Sequence, residues 1–458
     1  MLEKALENAR QGVEGSDADL FEELRIPSVS ALPEHKSDVR RNADWLAARM
    51  QRLGMTTSTT DMPGGRHPVL QGDLVVDPAL PTLTIYGHYD VQPADPVEGW
   101  ESPPFEPTVR NGKVYARGSS DNKGNQMAAL KAVEFWKEAG GPPVNVRFLI
   151  EGEEEITLHS LGDYLRENAR RLQTDWVLLW DGGFTEEDEP AIVTALRGIL
   201  YVELRAEGPG IDLHSGSFGG VAPNPLNTLS HVLSGLKAKD GRILIPGFYD
   251  DVRQPSAEEL KQWEKGPAYE ETIKALSHSR VLEGEADYPP IQRRWSRPTL
   301  DVHGIWGGFM GEGVKTVIPT AGMAKVSMRL VPDQVPDKIQ AELERYVDQL
   351  STPGVRFTVT RLGATRPVLV GTENPAVEAA TKAFEESFKK KTQFVRSGGS
   401  VPVAIDFLEA LGAPMVVSGL PQSDSAAHSP NECYDLDHYH RGIEMLIRFM
   451  AGLPGARR

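Results

Sequence analysis

Three short apolar runs, each followed closely by histidine or carboxylate side chains, constrain the fold of this chain most strongly. They are LTIY at residues 83–86, VNVRFLI at 144–150 and WVLLW at 176–180. Segments with the apolar spacing of helices lie between them, and similar spacing over residues 2–53 predicts two helices before the first strand. Strands that alternate with helices predict an α/β fold, with a mostly parallel sheet covered by helices on both faces.

The pattern changes after about residue 197. Segments 199–205, 323–331 and 355–361 alternate in polarity, and segments 225–236 and 338–350 have helical spacing. This mixture predicts a smaller α+β layer with one sheet face covered. Because 458 residues exceed one ordinary domain, we expect residues 1–197 and 367–458 to form one domain. Residues 198–366 are then a second domain inserted in the first.

Composition narrows the class of protein and of partner. The chain has 40% hydrophobic and 25% charged residues and a net charge of −16, which disfavours nucleic acid and anionic membranes as partners. No apolar window is long enough for a membrane helix, and the first residues lack the pattern of a signal peptide. With Cys433 as its single cysteine, the chain suits a reducing compartment, and we expect a cytoplasmic protein.

Four side chains that can bind metal follow predicted strands. His88 and Asp181 come just after two of the apolar runs, Glu155 follows the third, and Asp121 follows a short run at 114–116 that resembles a further strand. Ligands of such sheets bind at the carboxyl ends of the strands. Each carboxylate alone could simply cap a turn, but together the four residues predict a metal site.

The second histidine of this site is best supplied by His428, in a polar loop beyond the run 414–417. His438, His440 and His303 are weaker candidates because of their places in the sequence. The three carboxylates nearly balance two divalent ions and leave one positive charge for a hydroxide. Nitrogen and carboxylate ligands without cysteine suit zinc, with manganese or cobalt as substitutes.

Two further acidic residues have predicted roles beside the ligands. Glu154 and Glu155 are adjacent, so one can bind metal while the other faces the water as general base. A solvated acidic turn is the alternative. Asp90 follows His88 by two residues and suits support of the imidazole better than ligation, or it caps the turn at 91–93.

Five motifs occur together in this order: GHYDVQP (87–93), GSSDNKG (118–124), EGEEE (151–155), LHSG (213–216) and SMRLVP (327–332). In this the chain resembles, from about residue 15 to its end, the dinuclear zinc metallopeptidase family. That family includes carnosinase-like dipeptidases, glutamate carboxypeptidase, aminoacylases and succinyl-diaminopimelate desuccinylase, and the cytosolic dipeptidase branch is the most similar.

The resemblance implies a role for each metal ligand. His88 and Asp181 would bind one ion, Glu155 and His428 the other, and Asp121 would bridge both. It also implies that the peptide bond after Asp121 is cis. Glu154 would be the general base.

The resemblance further implies that residues 1–197 and 367–458 are the catalytic domain. Residues 198–366 would be a lid domain through which the chain forms a homodimer. His214 would reach the partner's active site to stabilise the oxyanion, and Arg329 would hold the substrate carboxylate. Thr316, Gly399 and Ser400 would be further substrate contacts.

The chain departs from the carnosinase pattern at Ser397, where that pattern has an acidic residue before Gly-Gly-Ser. It also lacks the His-Pro-His of eukaryotic carnosinases near residues 371–376. Both features bear on how the amino end of the substrate is held. We expect hydrolysis of dipeptides with a free carboxylate; the alternatives are an N-acyl-amino-acid deacylase, a carboxypeptidase, or a non-catalytic binder of small molecules on this fold.

Overall fold

The three apolar runs form neighbouring strands of one six-stranded sheet in a computed structural model, which describes residues 1–156, 160–185, 188–264, 267–399 and 402–457. The strands are β1 (Thr56–Met62), β2 (Arg66–Leu74), β3 (Thr82–His88), β4 (Thr108–Arg110), β5 (Lys113–Tyr115), β6 (Asn145–Glu151), β7 (Trp176–Trp180), β8 (Ala191–Leu196), β9 (Gly198–Glu207), β10 (Leu213–His214), β11 (Thr299–Gly307), β12 (Val317–Ile318), β13 (Ala321–Leu330), β14 (Arg356–Thr365), β15 (Val368–Leu369), β16 (Gln393–Ser397), β17 (Met415–Ser418) and β18 (Cys433–Asp435).

The helices alternate with these strands through most of the chain. They are α1 (Leu2–Gln11), α2 (Val13–Leu24), α3 (Lys36–Arg52), α4 (Lys123–Glu138), α5 (Ser160–Asn168), α6 (Ser215–Phe218), α7 (Pro225–Leu236), α8 (Ala257–Gln262), α9 (Pro267–Ser277), α10 (Pro290–Trp295), α11 (Pro336–Leu350), α12 (Pro375–Phe388), α13 (Pro402–Leu411) and α14 (Leu436–Gly452). Three helices therefore precede the first strand, where the sequence predicted two. In the described residues, no helix combines the length and apolar character needed to cross a membrane.

Two compact units divide the chain. The first comprises residues 1–194, 370–395 and 406–458, and the second comprises residues 195–369 and 396–405. The sequence-based division kept all of residues 367–458 in the first domain, whereas in the structure residues 396–405 group with the second unit.

The first unit is built on the central sheet, with strand order β1-β2-β6-β3-β7-β17. The last four strands are mutually parallel, and β1 and β2 form an antiparallel edge. Ile85 packs in the core with Leu130 of α4, while the next residue, Tyr86, meets the ring of Phe407 edge-on at 5.8 Å. Because successive strand residues point to opposite faces, helices cover both faces, and the predicted α/β fold is confirmed.

The second unit contains the predicted α+β layer. Its antiparallel sheet has the order β11-β13-β9-β14. One face buries residues such as Val202 and Val326 against Val232 of α7 and Leu343 of α11. The other face carries Arg329, which lies between β9 and β11. This face is less buried, so its polar residues remain accessible within the unit.

The close packing of α14 in the first unit makes a stability prediction. Gly442 lies inside this helix, and an added Cβ would come within 2.0 Å of a methyl carbon of Leu420. The better helix propensity of alanine gains about 1 kcal/mol, but overpacking costs about 1 to 3 kcal/mol. We expect Gly442→Ala to lower the thermal midpoint of unfolding in calorimetry.

Gly15 in α2 is the matched control, because an added Cβ there meets no atom within 4 Å. Gly15→Ala should leave the midpoint unchanged or raise it. Equal midpoints for the two variants would contradict the packing described for α14.

Candidate metal centre

Two neighbouring parallel strands present His88 and Asp181 at the same edge of the central sheet. His88 is the last residue of β3, and Asp181 directly follows β7. The imidazole is fully buried, and its Nε2 lies 3.5 Å from Asp181 Oδ1. The same carboxylate oxygen accepts a hydrogen bond of 2.8 Å from Asn122 Nδ2, which fixes its direction.

Asp121 reaches this edge by a different route from the one predicted. The run at 114–116 was expected to be another strand delivering Asp121, but β5 belongs to a separate antiparallel sheet with β4 and β18. Asp121 instead lies in the turn just before α4. The peptide bond from Asp121 to Asn122 is cis, which confirms the expectation from the resemblance.

His428 lies in the loop between β17 and β18, with a φ of 62°. Its Nε2 is 3.0 Å from Asp121 Oδ2 and 3.2 Å from Glu155 Oε2. The other oxygen of the same aspartate, Oδ1, lies 3.0 Å from His88 Nε2. Asp121 therefore faces one histidine with each carboxylate oxygen.

Glu154 and Glu155 lie in a single turn of 3₁₀ helix that follows β6. The backbone amide of Glu155 donates to Asp90 Oδ2 at 3.1 Å, and Glu155 Oε2 accepts from Gln92 Nε2 at 2.8 Å. Because neighbouring residues of the turn point in different directions, the two carboxylates have different surroundings. The Glu155 side chain is almost fully buried beside His428.

The five side chains form two overlapping groups that suit metal ions. In the first group, the ligand atoms of His88, Asp121 and Asp181 all lie within 4.8 Å of one another; in the second, those of Asp121, Glu155 and His428 do. Bonds of about 2.1 Å in a tetrahedral zinc site place ligand atoms ~3.4 Å apart. The measured separations of 3.0 to 3.5 Å are close to that spacing.

A buried oxygen supports the same interpretation. Glu155 Oε1 is buried and has no hydrogen-bond partner among the residues that the structure describes. A buried polar atom without a partner is costly, and a cation in the second group would satisfy it. Imidazole nitrogens and carboxylate oxygens are also suitable zinc ligands. The residues present therefore fit divalent metal ions.

Burial and neighbouring charges shift the pKa values of several side chains in the cluster. Hydrogen bonds that His428 donates to Asp121 and Glu155 raise its pKa to about 10. Burial lowers the pKa of His88, but the charge of Asp181 and the hydrogen bond to Asp121 hold it well above the usual range. Burial, together with the charges of Asp181 and Glu155, raises the pKa of Glu154 to about 9 against the lowering effect of His88. The concentration of carboxylates therefore favours positive charge at this site.

Asp90 supports the site mainly through contacts with neighbouring segments. His88 Nδ1 lies 3.1 Å from the backbone oxygen of Asp90 and 3.5 Å from its carboxylate Oδ1. The other carboxylate oxygen accepts from Ser30 Oγ at 2.7 Å and from the amide of Glu155. The imidazole therefore has an acceptor on its Nδ1 side, and Asp90 links it to the Glu155 turn.

The remaining predicted residues belong to the second unit, apart from Ser400, which lies outside the described residues. His214 is exposed and accepts a hydrogen bond at Nδ1 from the amide of Gly216 at 2.9 Å, so it caps the short helix α6. In strand β10, His214 pairs with Val317, the residue that follows Thr316 in the chain. Arg329 lies on β13, and the Gly399 oxygen accepts from the amide of Arg197.

Sequence reasoning missed the residues that hold the ligands in place. Gln92 and Asn122 occur inside the motifs quoted above, and their contact with Glu155 and Asp181 could have been suspected from that position. Glu432 and Arg117 form a buried ion pair, with 2.8 Å between Arg117 Nη1 and Glu432 Oε2. Glu432 also accepts a hydrogen bond from the amide of Asp121. No local pattern in the sequence marks these two residues, because they pair with each other across more than 300 positions of the chain.

Comparisons with known proteins indicate one peptidase family. The model of peptidase family M20/M25/M40 matches residues 84–452. The chain is 32% identical over 446 residues to the Cys-Gly metallodipeptidase of Schizosaccharomyces pombe, covering 93% of each protein. The solved structure of an M20 family metallo-carboxypeptidase from Sulfolobus solfataricus has 33% identity and a TM-score of 0.83, with 95% of this chain and 98% of that one covered.

Human carnosine dipeptidase 1 is similar over the same extent. Its crystal structure has 29% identity and a TM-score of 0.81, with 98% of each chain covered. The family model and the relatives both indicate a metallopeptidase. The chain therefore belongs to peptidase family M20/M25/M40 and is a metallopeptidase.

Proposed function

We propose that this protein hydrolyses the amide bond of dipeptides that have a free C-terminal carboxylate, using two divalent ions, zinc in the first instance. The observation that carries the proposal is the pair of ligand groups that share Asp121, with Glu154 beside them. The names of the relatives, Cys-Gly metallodipeptidase and Beta-Ala-His dipeptidase, support dipeptides as the substrate class.

His88 and Asp181 would hold one ion and Glu155 and His428 the other, with Asp121 between them. When bound, such ions would lower the pKa of a water molecule and polarise the scissile carbonyl. Glu154 would accept a proton from the attacking water and return it to the leaving amine. Its half-buried carboxylate adjoins Glu155 in the same turn, which supports this role.

The second unit would supply the groups that bind substrate. Arg329 offers a planar pair of donors for the C-terminal carboxylate, with Thr316, Gly399 and Ser400 as further contacts. His214 would stabilise the oxyanion in the active site of a partner subunit, which makes the protein a homodimer through its second unit. We also place the protein in the cytoplasm, on the basis of its single cysteine.

A carboxypeptidase or deacylase of the same family is the second candidate function. The likeness to the Sulfolobus solfataricus metallo-carboxypeptidase favours it specifically. A panel of dipeptides, longer peptides and N-acetyl amino acids separates the alternatives. We expect the highest kcat/KM on dipeptides; faster hydrolysis of longer peptides or N-acetyl amino acids would replace the proposed substrate class.

The role of Glu154 is tested by Glu154→Gln, which keeps the size of the side chain and removes the base. General base catalysis contributes about 10²- to 10⁴-fold, so kcat should fall by that factor. Metal content, measured by mass spectrometry, should stay near two ions per chain. Substantial turnover by this variant would rule out Glu154 as the base.

The adjacent residue provides the contrasting variant. Glu155→Gln should lose metal as well as activity, because Glu155 belongs to the second ligand group. Near-zero metal in the purified wild-type protein would instead favour a non-catalytic binder.

The shared active site is tested at His214, which is exposed. His214→Ala should lower kcat by about 10²- to 10³-fold, as for loss of an oxyanion donor, without changing metal content. Sedimentation should find a dimer for both proteins. Full turnover by the variant, or an active wild-type monomer, would contradict the shared site.

A further inference from the structure

Glu432 is a fully buried carboxylate that the roles proposed above do not use. Its Oε1 accepts hydrogen bonds from the Ser120 amide at 2.9 Å, the Ser120 hydroxyl at 2.9 Å and the Asp121 amide at 3.0 Å. Its Oε2 accepts from the Gly118 amide at 2.9 Å. One side chain therefore orders the turn that ends at Asp121.

Arg117 completes this arrangement and extends it to a second segment. Its Nη1 donates to Glu432 Oε2 at 2.8 Å, and its Nη2 donates to the backbone oxygen of Pro93 at 3.0 Å. Both charges are nearly inaccessible to solvent. A buried carboxylate is tolerated only when paired and hydrogen-bonded, so Glu432 is held firmly in one position. Gln92, next to Pro93, donates to Glu155.

The loop that carries His428 ends at the same carboxylate. His428 and Asn431 both have a φ of 62°, a left-handed conformation that surroundings must stabilise in residues other than glycine. Asn431 is tied by its side chain to the oxygen of Gly99 and the amide of Glu101. Glu432 follows directly, so it fixes the end of this loop to the Asp121 turn.

We infer that Glu432 is a positioning residue for the metal site: it sets Asp121 so that one carboxylate oxygen faces His88 and the other faces His428. Both of those distances are 3.0 Å, although the two histidines come from segments 340 positions apart. Outer contacts of this kind typically change metal affinity by about 10- to 100-fold. The inference rests on the proposed two-ion site.

The competing explanation is that Glu432 only stabilises the fold. Variants of two adjacent serines distinguish the two explanations. Ser119 and Ser120 are both buried. The Ser120 hydroxyl donates to Glu432, whereas the Ser119 hydroxyl has no hydrogen-bond partner among the described residues. Ser120→Ala thus removes a hydroxyl that donates a hydrogen bond to Glu432. Ser119→Ala also removes a buried hydroxyl, but one that has no hydrogen-bond partner among the described residues.

Glu432→Gln is the stronger variant. Its NH₂ group would face backbone N–H groups, because every group that contacts Glu432 in this turn is a donor. The matched control is Glu285→Gln in the second unit, where Glu285 and Arg297 form another buried ion pair. That variant removes the charge of a comparable pair that lies in the other unit.

Zinc affinity is measured by competition with a chromogenic chelator, together with the thermal midpoint of each metal-free protein. We expect zinc binding to weaken about tenfold in Ser120→Ala and up to 100-fold in Glu432→Gln. Ser119→Ala and Glu285→Gln should bind zinc as the wild type does, even where Glu285→Gln lowers the midpoint. If Glu432→Gln does not fold, the two serine variants decide.

Unchanged zinc affinity in Ser120→Ala and in folded Glu432→Gln would overturn the inference and leave the proposed function intact. An equal loss of affinity in both serine variants would also overturn it. Absence of zinc binding by the wild-type protein would remove the proposed function and this inference together.

Discussion

The structure of the candidate site depends on one carboxylate between two imidazoles. Asp121 lies 3.0 Å from His88 on one side and 3.0 Å from His428 on the other. Two histidines so placed around one aspartate would repel each other when protonated, and the carboxylate compensates both. Hydrogen bonds that His428 donates to Asp121 and Glu155 raise the pKa of that imidazole to about 10. Divalent cations would replace those protons, since metal ligation requires the neutral imidazole.

The fold brings these groups together by three separate means. The parallel strands β3 and β7 place His88 and Asp181 at one edge of the sheet. A turn before α4 places Asp121, and a loop beyond β17 places His428. Strand pairing fixes the first two residues directly, whereas the turn and the loop require side-chain contacts to hold them. This difference explains why the buried contacts of Glu432 concentrate on the turn and the loop.

Much of this architecture could be predicted from the sequence because strand periodicity and helix spacing are local properties. The apolar runs before His88 and Asp181 are strands of the central sheet, as expected, and the α+β layer forms in the second unit. For Asp121 the residue was singled out but the route was wrong, since β5 pairs in another sheet. Glu432 and Arg117 could not be found, because their significance comes from contacts more than 300 positions apart.

The central claim is that two ions share Asp121, and anomalous diffraction at the zinc edge tests it most directly. Crystals of the zinc-loaded protein should give two anomalous peaks about 3.5 to 4 Å apart. One peak should lie beside His88 and the other beside His428, with the Asp121 carboxylate between them. A single peak, or two peaks without Asp121 between them, would contradict the account.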